Sequence, residues 1–295
     1  MDKNMKAKGI GYLLICSLIW GSSFAVVKDS LKSLTPIWNL AIRFIFASIF
    51  MILYCHKGLK GFSKRSIKNG IILGSILFCA MFFQSEGINR TTAGKSAFIT
   101  NIYVILIPFT EFFWKSKKLS LKDIIAAVIC MSGIGFITLD KGIGISSGDI
   151  LCLICGIIYT VYIIKIDDIP KQVPSAGIHT IQILTCGILA IIFAFLLEPF
   201  PKSVSGKAML GTFYCGVFEL GIGFLFQLKG QKIISPAISS LIMSLESITA
   251  CIFSYFILGE SVSFAMIIGC IMVLISILIP DQSNFKQTGK KSPNI

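Results

Sequence analysis

A chain of 295 residues with 55% hydrophobic and only 14% charged residues is too apolar for a soluble globule. Its net charge of +13 would suggest nucleic acid, but the basic residues gather in short loops between apolar runs, the pattern of cytoplasmic loops in a membrane protein. Apolar runs of about 18 residues or more recur along the chain, so the expected class is an all-α polytopic membrane protein.

Ten membrane-spanning helices are expected. Lys3, Lys6 and Lys8 precede an apolar run at about 9–27. It is long and followed by further spans, and is therefore read as an uncleaved first helix, not a signal peptide. It carries Trp20-Gly21-Ser22-Ser23-Phe24. The second span, about 36–54, contains Arg43, and the third, about 69–85, opens with the close-packing spacing Gly70-x-x-x-Gly74. The fourth and fifth run over about 92–114 and 121–139, and a glycine-rich joint at 141–148 separates the halves. Spans six to ten cover about 149–164, 176–197, 208–228, 236–258 and 264–279. The expected organisation is a first repeat at 1–143, a second at 144–282 and a short polar tail at 283–295. Nine of the ten cysteines fall inside apolar segments and Cys55 lies near a loop. With no neighbouring His, Cys152-x-x-Cys155 reads as packing, so no metal site is expected.

Helix nine organises the rest. Pro236 suits its first turn and Gly259 its end, while Glu246, ten residues in, falls near the midplane. A charge there costs about 2.5–3.5 kcal/mol on insertion scales, which makes Glu246 a functional candidate. A shift of 143 residues superimposes Phe83, Gln84 and Gly87 on Phe226, Gln227 and Gly230, Ser96 on Ser239, and Ser120 on Ser263. We read an internal duplication. Five spans per repeat is an odd number, so the repeats must be inverted relative to each other, the architecture of alternating-access carriers. Nineteen of the 27 Lys and Arg residues fall on the side of the two termini and seven on the other, with Arg43 in the membrane. Both termini are therefore expected in the cytoplasm.

Ser240, Ser244, Ser247, Cys251 and Ser254 form a small-residue seam on helix nine, suited to close packing. Glu246 points away from it, on a face with Ser239, Met243 and Ala250 that is expected to line a cavity. The alternative is that Glu246 only partners Arg43. Arg43 itself either snorkels or pairs with a carboxylate, as a structural residue. Glu219, flanked by Gly216, Gly221 and Gly223, is a candidate for cavity lining or proton binding, against a buried neutral Glu. Ser96, Thr100, Asn101 and Tyr103 form a polar stripe on helix four that is expected to line the cavity, the last two matching Ser244 and Glu246. Gln84 and Gln227 read as interhelical hydrogen-bond partners, His179 as an interfacial residue, and Trp20 as packing or cavity wall.

Several stretches resemble the ten-helix EamA branch of the drug/metabolite transporter superfamily over about residues 9–280. They are Trp20-Gly-Ser-Ser-Phe24, Arg43, residues 98–108, Gly148-Asp149, Gln182, residues 227–236, Ser244-Leu-Glu246 and Leu258-Gly-Glu260. The resemblance implies export of amino acids or other small metabolites through a cavity between the repeats. Ser247 stands where that family usually has proline, which would weaken a break in helix nine. Lys117 and Lys118 replace a frequently acidic end, and Glu219 has no family counterpart. The expected activity is secondary transport across the plasma membrane, with no cofactor, no nucleic acid, a small-molecule substrate, and proton coupling and a homodimer as open possibilities. A lipid flippase is the alternative. No Walker motif, His-Glu-x-x-His or repeated Asp-x-x-x-Asp is present to support ATP use or an enzyme.

Overall fold

The computed structural model describes residues 3–55, 63–116, 120–138, 146–259 and 263–279. Within them every regular element is helical. The joint at 141–145, Lys117, Lys118, Glu260 and the tail lie outside the described residues. The spans are α1 (Lys3–Ser30), α2 (Pro36–Cys55), α3 (Lys64–Arg90), α4 (Ala93–Lys115), α5 (Leu121–Thr138), α6 (Ser147–Asp167), α7 (Ser175–Leu197) and α8 (Gly206–Gln231). They end with α9, in two pieces (Pro236–Met243 and Glu246–Leu258), and α10 (Phe264–Leu278). Among the described residues the bundle thus contains the ten helices expected and no strand. We call the membrane face where α1 begins the first face.

Helix ends follow local chemistry. Ser63, Thr92, Ser146, Ser205 and Ser263 each accept a backbone N–H from the following turn, and Ser146 forms a capping box with Asp149. α3 extends beyond its expected apolar run at both ends. Its 27 residues make about 40 Å of helix against about 30 Å of hydrocarbon, so its polar ends stand clear of the bilayer core. The N-terminus of α2 is capped from a distance: Glu198 accepts from Thr35 Oγ1 (2.6 Å) and from the N–H groups of Ile37 (3.1 Å) and Trp38 (2.9 Å). A carboxylate there satisfies orphan donors and meets the positive end of the helix dipole. Glu198→Ala is expected to cost about 1 kcal/mol, lowering the thermal midpoint of the detergent-solubilised protein by about 2 °C.

The 143-residue shift holds in three dimensions. It relates the N-caps Thr92 and Ser235; Ser120 and Ser263, each directly before a helix; and the left-handed C-caps Ser116 (φ 50°) and Gly259 (φ 68°). It also relates two interruptions. α4 breaks at Asn101–Ile102 and α9 at Ser244–Leu245, each a turn between two helical pieces. The expectation of a weakened break in α9 is corrected: the break forms with no proline beside it, and a tertiary contact accounts for it. Gly21 of α1 lies so close that a Cβ on it would overlap Thr249 and approach the Glu246 carbonyl to 2.6 Å. Gly156 of α6 plays the same part for α4, its Cβ position 2.8 Å from the Thr100 carbonyl. Packing between the halves obeys the same symmetry, with α1 on α8 and α9 mirrored by α6 on α3 and α4, and α2 on α8 mirrored by α7 on α3.

Candidate functional site

Between the broken helices lies a cavity, open in part to its surroundings, with Trp20, Thr100, Tyr103, Tyr159, Glu219 and Glu246 in its wall. Tyr103 and Glu246 are equivalent under the repeat shift and touch each other, so the cavity sits at the pseudo-two-fold axis. Tyr103 OH donates to Glu246 Oε1 at 3.4 Å, and Asn101 Nδ2 donates to the same oxygen at 2.9 Å. Glu246 opens the second piece of α9, just past a break at which the N–H groups of Leu245 and Ser247 turn back to carbonyls three residues earlier.

The floor on the first-face side is aromatic. Trp20 packs against Phe224 (4.7 Å between centroids) and Tyr159 (6.0 Å), and Tyr159 against Tyr103 (5.4 Å) and Tyr162 (5.3 Å). From there the wall climbs towards the second face past Phe24, Gln84 and Val27. Trp20 Nε1 and Tyr159 OH are buried with no hydrogen-bond partner among the described residues. Buried polar atoms are normally satisfied, so these two are placed for a ligand or water.

The motif at Trp20–Phe24 is now accounted for. Trp20, Ser23 and Phe24 line the cavity, Gly21 admits α9, and Ser22 Oγ lies 2.6 Å from Tyr214 OH of α8.

A second buried group stands beside the cavity. Arg43 Nη2 donates to Glu219 Oε1 at 2.5 Å, with both side chains almost fully buried. Glu219 is carried by a π-helical stretch, Cys215–Gly223, inside α8. Such stretches are rare and frequent at functional sites. Three glycines let the stretch approach its neighbours, Gly216 against the Arg43 carbonyl, Gly221 against Phe50 and Gly223 against the Trp20 indole. His179 of α7 bonds the Gly221 carbonyl through Nε2 at 2.9 Å. His179, the fifth residue of α7, is fully buried in the bundle.

Other residues depart from their sequence reading. Arg43 does not snorkel, and its partner is Glu219, not Glu246. Ser239 and Met243 are buried away from the cavity wall, because the turn at Ser244–Leu245 breaks the helical period that seemed to place them beside Glu246. Asn101 contacts Glu246 without lining the cavity. Gln84 lines the cavity, whereas both amide atoms of Gln227 are buried without a hydrogen-bond partner, so the pair makes no interhelical bridge. Ser23, Tyr159 and Phe224 were missed. Tyr159 and Tyr162, one turn apart in α6, were the available signal for the aromatic floor.

On the first face, Lys115 at the end of α4 holds Asp167 (2.5 Å) and Asp168 (3.0 Å) at the end of α6, and Lys232 donates to the Val173 carbonyl. On the second face, Lys28 donates to the Ile88 (2.7 Å) and Thr91 (2.8 Å) carbonyls at the end of α3. Among the described residues no cluster of three or more His, Cys, Asp or Glu side chains could hold a metal ion.

An inverted-repeat helical bundle with a cavity holding a buried carboxyl where two broken helices meet defines a membrane transporter. The chain belongs to the EamA-like transporter family, whose profile matches residues 7–139 and again 146–279. It is 27% identical to an uncharacterized transporter of Archaeoglobus fulgidus over 90% of this chain and 83% of the relative. It is also 22% identical to Protein PecM of Dickeya dadantii over 98% and 97% of the two chains. A solved crystal structure, 17% identical, shares the fold with a TM-score of 0.78 over 95% of this chain and 96% of the other.

Proposed function

We propose that the protein is a secondary exporter of small organic molecules, amino acids or other metabolites and drugs, working by alternating access in the plasma membrane with both termini cytoplasmic. The observation that carries this is Glu246, a carboxyl buried at the junction of two broken helices on the axis that relates residues 1–143 to 144–282. Rocking of one repeat against the other around that axis would expose the cavity to each face in turn. The first-face ties at Lys115 and the aromatic floor support a state closed on the cytoplasmic side, and the bias of Lys and Arg towards that face supports the orientation. Glu246 and Glu219 are the groups to which a coupling proton would bind.

Cells expressing the wild type are expected to accumulate one class of compound outside relative to Glu246→Gln at equal expression. Losing one charge-assisted hydrogen bond, about 1.5–3 kcal/mol, corresponds to a roughly 10- to 100-fold fall in apparent affinity. Equal export by both proteins would remove Glu246 from the site.

One observation favours lipid movement instead. An apolar groove of about 970 Å³ runs between α1 and α8 past Val26, Leu210 and Phe218, with the Lys207–Asp29 pair (2.7 Å) at its rim. Transfer of a labelled lipid between leaflets in proteoliposomes, with no metabolite export, would establish that reading.

A further inference from the structure

The cavity wall is one positive charge short. Arg43 is its only basic side chain among the described residues, and that guanidinium is committed to Glu219 at 2.5 Å. Glu246 is just 3% exposed. Its recorded partners, Asn101 and Tyr103, are neutral donors to one oxygen, and no basic group among the described residues lies within ion-pair distance. Burying a carboxylate without a countercharge is costly, so the site gains from whatever cation arrives.

The surroundings narrow the choice of cation. Trp20, Tyr103, Tyr159 and Phe224 form one continuous aromatic cluster in or under the wall. Aromatic faces attract organic ammonium groups by their quadrupole, and most strongly where water is excluded. They offer no oxygen ligands for a bare metal cation, which prefers several. The same wall repels a carboxylate or phosphate end, since Glu246 would oppose it and Arg43 is already neutralised. Trp20 Nε1 and Tyr159 OH remain as unused polar atoms for the far end of a ligand.

Building on the transporter reading above, we propose that the ligand is an organic amine whose ammonium group is seated on Glu246 within this aromatic cluster. The ammonium supplies the countercharge that the protein itself withholds. The rings supply a surface that tolerates alkyl substituents on the nitrogen, so selectivity lies in the charge more than in the shape of the amine.

The test uses the full chain in lipid nanodiscs with a panel of arylalkyl and alkyl amines, each matched to its alcohol and carboxylate isosteres. Binding is read from tryptophan fluorescence, with Trp20→Phe to assign the signal to the cavity. The amines are expected to bind at least about tenfold tighter than the alcohols, and the carboxylates weakest. Glu246→Gln should erase the preference, and Glu246→Asp should retain part of it, which separates lost charge from misfolding. Alcohols or carboxylates binding as tightly as amines to the wild type would overturn the proposal, as would a preference that survives Glu246→Gln. Proteoliposome export of a metabolite mixture, run in parallel, keeps the two readings apart. Export of neutral or acidic compounds alone would refute the amine and leave the exporter standing. Export of nothing, with no saturable binding, would remove both.

Discussion

Arg43→Ala is expected to lose most of the folded protein. Both members of the Arg43–Glu219 pair are buried, their side chains 2% and 7% exposed. Deleting the cation leaves Glu219 as an uncompensated charge in a low-dielectric interior, and breaking a buried pair in this way costs about 3–5 kcal/mol. That is a large share of the total stability of a typical domain. Glu219→Gln should be milder than Arg43→Ala, because a lone arginine can reach for carbonyls or the headgroup region. The informative variant is the double one. Replacing both, as Arg43→Met with Glu219→Met, should recover monodisperse protein, since a hydrophobic substitute for a buried pair is often neutral or better. Fluorescence-detected size-exclusion chromatography after a heat step measures all three. A double variant no more stable than Arg43→Ala would show that Arg43 acts through something other than Glu219.

Gly21→Ala is the second large effect. One methyl group at this position would overlap Thr249 and press on the Glu246 carbonyl, a backbone atom that no side-chain rotation can move aside. α1 and α9 would have to separate at the level of the cavity. Overpacking of this kind costs about 1–3 kcal/mol, and it displaces the one carboxylate on which transport is argued to depend. Gly11→Ala in the same helix is the matched control. Nothing lies within 4 Å of a Cβ there, so the change should be neutral or stabilising by a few tenths of a kcal/mol to about 1 kcal/mol from helix propensity. Thermal midpoint and export rate, read together, should fall for Gly21→Ala and hold for Gly11→Ala. Equal behaviour of the two would mean that the close approach of α1 to α9 has no functional weight.

A third residue acts on the same region indirectly. His179 bonds the Gly221 carbonyl of the π-helical stretch of α8, so His179→Ala should remove that hydrogen bond at a cost of about 0.5–1.5 kcal/mol.

Much of the architecture was legible because membrane helices announce themselves by length and apolarity, and because a few polar residues marked the 143-residue shift. The shift predicted more than it was asked to. One of its matched serine pairs, Ser120 and Ser263, proved to stand directly before a helix, and its matched positions 101 and 244 proved to be breaks. The breaks themselves were illegible. Neither has a proline or glycine beside it, and each depends on a glycine in a different helix, Gly21 or Gly156. That one unread feature accounts for the misplacement of Ser239 and Met243. Arg43 could be recognised as needing a carboxylate, but the choice between Glu219 and Glu246 depends on how α2 crosses α8, which no local pattern encodes. The same crossing, with the π-helical turn, settles where His179 sits.

The strongest packing partner of every span lies in the other half of the chain: α1 with α8, α2 with α7, α3 with α6, and α5 with α10. Synthesis is sequential, so the first five helices enter the bilayer before any of those partners exists. Until the second half emerges, Arg43 has no Glu219 and Gly156 has yet to reach the gap at Asn101. The half-made protein must therefore wait in the lipid as loosely associated helices, shielded by insertion machinery or by lipid, and acquire its shape only when the last helices thread between the first.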